Sequence, residues 1–216
     1  VPPHVMVLKN MQPVPVPGVE GVEVVGAPWR SKRPLSDLCA DLGTSLEAAG
    51  DNTRIAVCHG QVDTLSPDPS RPEIIQLKAA EQFIEEGRFQ YLALGDRHSV
   101  TAVGTTGRIW YSGAPVATAF DEQQPNHALL VDVNSQGEVN TTALETGHWH
   151  FIAAEREINS DADVHQFNRW LESLPTKETT IIKVAFQGSV SLATRARLDE
   201  TMATQGALFA SLRQRD

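Results

Sequence analysis

Three side chains in this sequence combine residue types and spacing that can bind a metal ion. His59 comes directly after the apolar run 55–58, and Asp96 and His98 come just after the apolar run 91–94. Both runs are predicted to be buried strands, because a strand covered on both faces has a nearly continuous apolar sequence. In open α/β sheets, ligands bind just beyond the carboxyl ends of the strands. We therefore expect these side chains to form part of a metal site, and imidazole with carboxylate suits Mn, Fe or Zn.

The same side chains also permit ordinary interpretations. His59 could be a hydrogen-bonded residue at a strand end, and Asp96-Arg97-His98 could form a surface ion pair beside a solvated imidazole. Asp96 and His98 are two residues apart, so in an extended backbone both side chains point the same way and could bind one ion. Cys58 precedes His59 and is expected on the opposite face of the strand, which argues against a Cys–His nucleophilic pair. The sequence contains no Walker loop, nucleophile elbow or dinucleotide fingerprint.

The one basic cluster consists of Arg30, Lys32 and Arg33 beside Trp29. It is either a solvated loop or a contact to the phosphate backbone of a nucleic acid. The net charge of −9 argues against a broad nonspecific nucleic-acid surface, which needs a basic stripe. That charge still allows a small cleft that handles phosphate groups through metal ions.

The composition is that of an ordinary globular protein, with 41% hydrophobic and 21% charged residues among 216. No apolar run of about 18 residues is present, so neither a membrane span nor a membrane partner is expected. The start of the chain lacks the pattern of a secretory signal. The two cysteines, Cys39 and Cys58, form no disulfide framework, and a reducing cytoplasmic location is expected.

Apolar spacing around the two motifs predicts an α/β fold. Strands are predicted at 5–8, 22–25, 55–58, 91–94, 100–103 and 108–111, a hairpin at 128–143, and helices at about 38–49 and 74–86. Ser36 and Gly50 are the expected caps of the first helix. Pro13, Pro15 and Pro17 favour an extended segment at a sheet edge, because proline cannot donate to a central ladder.

The pattern changes after Gly147. A strand is predicted at 150–158, a helix after the capping box at 160–163, a strand at 179–186 and a last helix at 198–212. This β-α-β-α unit of about 70 residues is near the lower limit for an independent core. We therefore predict two domains, residues 1–146 and residues 147–216.

At these motifs the chain resembles the calcineurin-like metallophosphoesterases, specifically the DNA repair exonuclease branch typified by the bacterial SbcD subunit. That family has His-Gly after one strand, Gly-His-x-His after a strand that reads Tyr-x-Ala-Leu, and a later strand ending in Tyr-x-Gly-x-Pro. The corresponding segments here are 59–60, 91–98 and 110–115, with Phe-Asp-Glu following at 120–122. Order and spacing match over about residues 5–122, and the later unit resembles the family's capping domain. The implied fold is a partial metallophosphoesterase β-sandwich flanked by helices, followed by a small β-α-β-α cap.

The resemblance implies a two-metal phosphodiesterase that is usually Mn-dependent. It makes His59 and His98 metal ligands. Asp96 stands where the family has the first histidine of Gly-His-x-His, and its carboxylate can bind the same ions. Two ions about 3.5–4 Å apart would clamp the scissile phosphate and generate a hydroxide nucleophile. Arg97 is the expected phosphate contact.

The family's earlier motifs, Asp-x-His, Gly-Asp and Gly-Asn-His-Asp/Glu, have no counterpart in this sequence and would lie upstream of Val1. Gly50-Asp51-Asn52 lacks the histidine and follows a predicted helix. Three candidate ligands are fewer than a dinuclear site needs. We therefore expect the second half of a phosphoesterase domain plus its cap, with at most a partial metal site and little or no catalysis by this chain alone.

For the intact protein, the resemblance implies a DNA repair exonuclease that acts on DNA ends with an SMC-like ATPase partner of the SbcC type. Two alternatives stay open: a noncatalytic module that binds a partner through its cap and an exposed sheet edge, and a phosphodiesterase for small nucleotides. A sheet that lacks its first strands would also expose an edge that invites pairing with another chain. A homodimer is one such arrangement.

Overall fold

The computed structural model of this chain describes residues 2, 5–134 and 136–215, and its fold is α/β. These residues contain four α-helices and eleven strands. The chain divides into two compact units. The first comprises Val1–Pro115 and Gln123–Thr146, and the second comprises Val116–Glu122 and Gly147–Asp216. Residues 116–122 thus group with the second unit although they precede residue 146 in the sequence.

A six-stranded sheet forms the centre of the first unit, in the order β1-β2-β3-β4-β6-β5. Its strands are β1 (Val14–Pro15), β2 (Val22–Gly26), β3 (Thr53–His59), β4 (Tyr91–Gly95), β5 (Val100–Ala102) and β6 (Ile109–Ser112). The four central strands are parallel to one another, whereas β1 and β5 are antiparallel to their neighbours at the two edges. The parallel arrangement brings the carboxyl ends of β3 and β4 to the same edge of the sheet.

Helices α1 (Leu38–Ser45) and α2 (Leu77–Glu85) complete the core of this unit. Leu42 of α1 and Phe83 of α2 belong to the same buried apolar cluster as Ala56 and Leu92 of the sheet. Residues His127–Val133 (β7) and Val139–Glu145 (β8) form the predicted antiparallel hairpin. Both apolar runs form strands, as predicted, and β4 is buried along most of its length. The expectation that β3 is covered on both faces is wrong, because Ala56 and Cys58 are buried whereas Val57 on the other face is 39% exposed.

Two local predictions in the first unit are wrong. Residues 5–8 are not a strand, because the edge position beside β2 is taken by Val14 and Pro15 and leaves this segment without a ladder. The first helix is capped by Asp37 rather than Ser36, since Asp37 Oδ1 accepts from two backbone N–H groups of the first turn. That helix ends at Ser45, before the predicted cap at Gly50. The predicted edge position of the proline-rich segment is confirmed by β1.

The second unit is a three-stranded parallel sheet in the order β11-β10-β9 with two helices. Its elements are β9 (His150–Glu157), α3 (Asp161–Ser173), β10 (Thr180–Gln187), α4 (Leu192–Gly206) and β11 (Ser211–Gln214). The capping box predicted before α3 is confirmed, with Ser160 and Asp163 as its two members. Phe167, Leu171 and Ile182 are among the residues of its separate core.

The predicted β-α-β-α order of this unit is incomplete, because its last segment is a strand. The helix ends at Gly206, and residues 211–214 pair in parallel with the segment 181–184 of β10. Pairing with the free side of β10 satisfies backbone groups that a longer helix would leave exposed at that edge. The unit is therefore β-α-β-α-β. In the described part of the chain, no helix has the length and apolar character needed to cross a membrane.

Candidate functional site

The candidate site lies where β3 and β4 end side by side. His59 is the last residue of β3, and its register partner on β4 is Gly95. The imidazole lies across this glycine, since a Cβ atom at position 95 would come within 2.9 Å of His59 Nδ1. From there His59 Nε2 is 3.6 Å from Asp96 Oδ1. The absence of a side chain at position 95 thus allows the imidazole to lie next to the carboxylate.

Asp96 has an unusual backbone conformation, with φ at 108°. Non-glycine residues rarely adopt positive φ, and such strain of about 1–3 kcal/mol concentrates at functional sites. The side chains of His59 and Asp96 are 52% and 35% exposed, so a ligand can reach both from solvent. The strained residue therefore lies at the point where a histidine and a carboxylate face solvent together.

Trp29, in the loop after β2, contacts both the backbone and the ring of His59. Its indole Nε1 donates to the backbone oxygen of His59 at 2.9 Å. The two rings meet edge to face, with centroids 4.9 Å apart and an interplanar angle of 88°. These contacts restrict the backbone and the ring of His59 before any ligand binds.

Buried Tyr111 of β6 holds the loop that follows His59. Its hydroxyl donates to the backbone oxygen of Gly60 at 2.7 Å and accepts from the backbone N–H of Val62 at 3.1 Å. Burial, with a smaller contribution from the negative charge of Asp96, raises the pKa of Tyr111 well above its usual range. The phenol therefore stays protonated at neutral pH and acts as a permanent donor.

Arg97 and His98 take different positions from the pair. Arg97 Nε donates to Thr101 Oγ1 at 2.9 Å, which anchors this side chain on β5. The His98 side chain is exposed, and its backbone oxygen accepts from Ala114 N at 2.9 Å. Among the described residues, no three side chains of His, Cys, Asp or Glu form a group that could hold one metal ion. The structure thus brings together His59 and Asp96, and it does not add His98 to them.

The separation of the pair fits two ligands of a single divalent ion. Typical bonds from Zn to His nitrogen or to carboxylate oxygen are about 2.0–2.2 Å, so two donors at tetrahedral positions lie roughly 3.4 Å apart. The observed 3.6 Å between Nε2 and Oδ1 is close to this value. The pair therefore fits one ion and leaves its remaining coordination positions to water, substrate or further protein groups.

A cleft of about 190 Å³ opens beside Asp96, and we call it the Trp29 cleft. Its lining comes from the loops after β2 and β3, from the end of β4, and from the loop before α2 that contains Pro67, Pro69 and Pro72. The lining residues are Trp29, Lys32, Gly60, Gln61, Arg71, Glu73, Ile74 and Asp96. Arg71 forms an ion pair with Glu73. A hydrogen bond from its own backbone N–H and, more weakly, the Arg71 guanidinium lower the pKa of Glu73. Glu73 therefore stays charged inside the cleft.

Sequence reasoning singled out only part of this cleft. It named Trp29 and Lys32 as one basic and aromatic cluster, but it did not identify Arg71 and Glu73. The only sequence signal for that pair is the placement of opposite charges on either side of a proline. Tyr111 was noted as part of a motif, but nothing local indicated its hydrogen bonds.

The two cysteines are buried in the core and do not contribute to the site. Cys39 and Cys58 are both free thiols. The pKa of Cys39 is raised well above its usual value, mainly by a hydrogen bond with Cys58 and secondly by burial. The Cys39 thiol therefore stays protonated at neutral pH. Cys58 is buried whereas His59 is exposed, which confirms that the two side chains lie on opposite faces of β3.

Comparison with known proteins gives no independent family assignment: no protein-family model and no curated protein matches this chain.

Proposed function

We propose that this chain supplies part of the active site of a metal-dependent phosphodiesterase that acts on DNA ends, with the architecture of a calcineurin-like metallophosphoesterase. One observation carries the proposal. His59 and Asp96 stand 3.6 Å apart at the carboxyl ends of two neighbouring parallel strands, beside a cleft with basic residues. This is the edge of an open α/β sheet at which ligands bind.

In this proposal, His59 and Asp96 are two ligands of a divalent ion, and the resemblance to the calcineurin-like metallophosphoesterases implies Mn²⁺. When bound, such ions stabilise the charge of a phosphodiester and supply a hydroxide nucleophile. His59 must be neutral to bind the ion through Nε2, and its contact with Gly95 and its backbone bond from Trp29 orient it for that role. His98 is a further proposed metal ligand, although its side chain does not form one group with those of His59 and Asp96 in the described residues.

Arg97 is the proposed contact to the substrate phosphate. A guanidinium carries five donors in a planar fork that matches phosphate oxygens. Nε is bound to Thr101, so the two terminal nitrogens are the groups that would meet the phosphate. The intact protein is proposed to work with an SMC-like ATPase in the cytoplasm, and the second unit would be its capping domain.

The experiment compares Mn²⁺-dependent hydrolysis of a chromogenic phosphodiester by this chain and by the protein extended through the coding sequence upstream of Val1. We expect little or no hydrolysis by the chain alone. We expect hydrolysis by the extended protein, with a loss of at least about a hundredfold in His59→Ala, as for removal of a group that positions a metal. His165→Ala, at an exposed position on α3, is the control.

Three results would contradict the proposal or one of its expectations. An extended protein that does not hydrolyse the substrate would remove the enzymatic role. Hydrolysis that is equally strong in His59→Ala would show that the reaction occurs elsewhere. Strong hydrolysis by the chain alone that His98→Ala abolishes would show that the site is complete, and the expectation of missing ligands would be wrong.

A noncatalytic partner-binding module is the second candidate, and one observation favours it. An apolar cleft of about 380 Å³ lies in the first unit beside Leu35, whose side chain is 89% exposed. Met11, Pro34 and Leu38 also line it. If this surface binds a second copy of the chain, sedimentation equilibrium will show a dimer that Leu35→Asp converts to a monomer. A monomer at all concentrations would leave this candidate without its homodimeric form.

A further inference from the structure

We propose that the Trp29 cleft holds one unpaired nucleotide at the end of a DNA strand, with the base stacked on the Trp29 indole and its phosphate beside Lys32. This inference deepens the proposed function by naming its substrate as a single-stranded end. The hydrolysis of that end rests on the proposed function, whereas its binding does not. It combines an exposed, immobilised aromatic ring, basic groups beside it and the size of the cleft.

Trp29 has the properties of a stacking platform. The residue is 38% exposed, so part of it is open to solvent. One edge of the indole is held by the hydrogen bond to the His59 backbone and by the edge-to-face contact with the His59 ring. A base can stack on such a ring without loss of rotamer freedom by the protein. Aromatic stacking of this kind is how proteins hold single-stranded nucleic acids without reading their sequence.

Basic side chains lie next to the ring. Lys32 is exposed and lines the cleft together with Arg71. Arg71 is neutralised by Glu73, so Lys32 is the better contact for a phosphate group. Arg30 lies in the same loop as Lys32, but its side chain donates to the backbone oxygen of Lys9 and lines a different cleft. The basic cluster of the sequence is thus divided, and only part of it faces the Trp29 cleft.

The cleft leads directly to the proposed metal ligands because Asp96 is part of its lining. A nucleotide whose base lies on Trp29 would therefore place its phosphodiester next to the pair formed by His59 and Asp96.

The size of the cleft favours an unpaired nucleotide of a longer strand over a free small nucleotide. Pockets that enclose drug-sized ligands measure roughly 300–1,000 Å³. The Trp29 cleft, at about 190 Å³, lies below this range, so it fits an open cleft that takes one nucleotide of a longer strand rather than a pocket that encloses a free nucleotide. A base within a duplex would first have to leave its stack, at a cost of a few kcal/mol. The net charge of −9 disfavours the broad phosphate contacts that duplex binding would need to offset this cost.

The test measures DNA binding by the full 216-residue chain in the presence of EDTA, so that neither metal nor hydrolysis is involved. The two fluorescein-labelled probes are an oligo-dT of about ten nucleotides and a blunt hairpin of equal length. Fluorescence anisotropy measures the binding of each probe. The variants are Trp29→Ala, Trp29→Phe and Lys32→Gln. Arg30→Gln is the matched control, because it removes a positive charge from the same loop but not from this cleft.

We expect tighter binding of oligo-dT than of the hairpin. Trp29→Ala should weaken oligo-dT binding by about tenfold, since stacking on an aromatic residue contributes that order of affinity per base. Trp29→Phe should lose less than about threefold, because it keeps a stacking ring although it removes the hydrogen bond to His59. Lys32→Gln should weaken binding by about threefold and reduce the slope of log affinity against log salt by about one. Arg30→Gln should bind like the unmodified chain.

Three results would overturn the inference: equal binding of hairpin and oligo-dT, unchanged binding by Trp29→Ala, or a loss in Trp29→Phe as large as that in Trp29→Ala. The last result would assign Trp29 a purely structural role through its indole N–H. The outcome is separable from that of the proposed function. Stacking-dependent binding without hydrolysis by the extended protein would uphold the inference alone, whereas hydrolysis that does not depend on Trp29 would uphold the function alone.

Discussion

The substitution Tyr111→Phe removes one oxygen atom that holds the loop after His59. The hydroxyl accepts from Val62 N and donates to the Gly60 oxygen, and all three residues are buried. Without it, one buried N–H and one buried carbonyl lose their partner, at about 1–3 kcal/mol for each group. Because the loop can shift to admit water, we expect the lower end of the sum, about 2 kcal/mol of unfolding free energy.

Tyr91→Phe is the matched control, since Tyr91 and Tyr111 are the only two tyrosines of the chain. Tyr91 is also buried, but its hydroxyl has no hydrogen-bond partner in the part of the chain that the structure describes. Its loss should change stability by less than about 0.5 kcal/mol. Urea unfolding followed by tryptophan fluorescence gives both values in one assay. Equal midpoints for the two variants would refute the claim that the Tyr111 hydroxyl holds the loop.

Three further predictions follow from individual contacts. Gly95→Ala should reduce Mn²⁺ binding as strongly as His59→Ala, because the new Cβ would be 2.9 Å from His59 Nδ1 and would displace the imidazole; electron paramagnetic resonance measures this. Burial raises the pKa of Tyr91 to about 12, so the Tyr91 hydroxyl keeps its proton to a higher pH in the folded chain than in the unfolded chain. Stability from that buried phenol is therefore present below about pH 10 and is lost as the pH rises through about 12, which ultraviolet titration with and without denaturant will show. Ser160→Ala should destabilise the second unit by about 1 kcal/mol in urea, because it removes the capping box with Asp163.

Each of these predictions has a result that would contradict it. Gly206→Ala, where a Cβ meets nothing closer than 4.0 Å, is the control for Gly95→Ala, and equal Mn²⁺ binding by both variants would refute the steric argument. A tyrosine absorbance that titrates near pH 10 in the folded chain would show that Tyr91 is not buried. A Ser160→Ala variant as stable as the unmodified chain would mean that the cap does not stabilise α3.

The ends of β3 and β4 could be predicted from the sequence because the responsible signal is local. Each strand is a short continuous apolar run, and each is followed at once by polar residues. Their parallel pairing brings His59 and Asp96 to one edge, as the α/β pattern indicated. The capping box before α3 was equally readable, since its members are three residues apart.

Features that depend on tertiary contacts could not be predicted in this way. Tyr111 and Gly60 are 51 residues apart in sequence, and no periodicity reports the hydrogen bond between them. The segment 211–214 has helical spacing with the residues before it, but pairing with β10 makes it a strand. Asp37 displaced Ser36 as the helix cap because its carboxylate accepts from two backbone N–H groups and also from Gln76 N, which follows it by 39 residues.

The position of His98 shows the same limit at the site itself. In an ideal strand, residues 96 and 98 would point the same way, but β4 ends at Gly95 and Asp96 has a positive φ. The alternation that placed Asp96 and His98 on one face therefore does not apply there. What brings Asp96 to His59 is instead the register of β3 with β4 and the absence of a side chain at Gly95.

The most direct test of the account is a titration of this chain with Mn²⁺, followed by electron paramagnetic resonance of the free ion. We predict a single ion bound at the pair formed by His59 and Asp96, with affinity lost in His59→Ala and in Asp96→Asn and retained in His165→Ala. Failure of the unmodified chain to bind Mn²⁺, or equal binding by all four proteins, would contradict the claim that these two strand ends form a metal site.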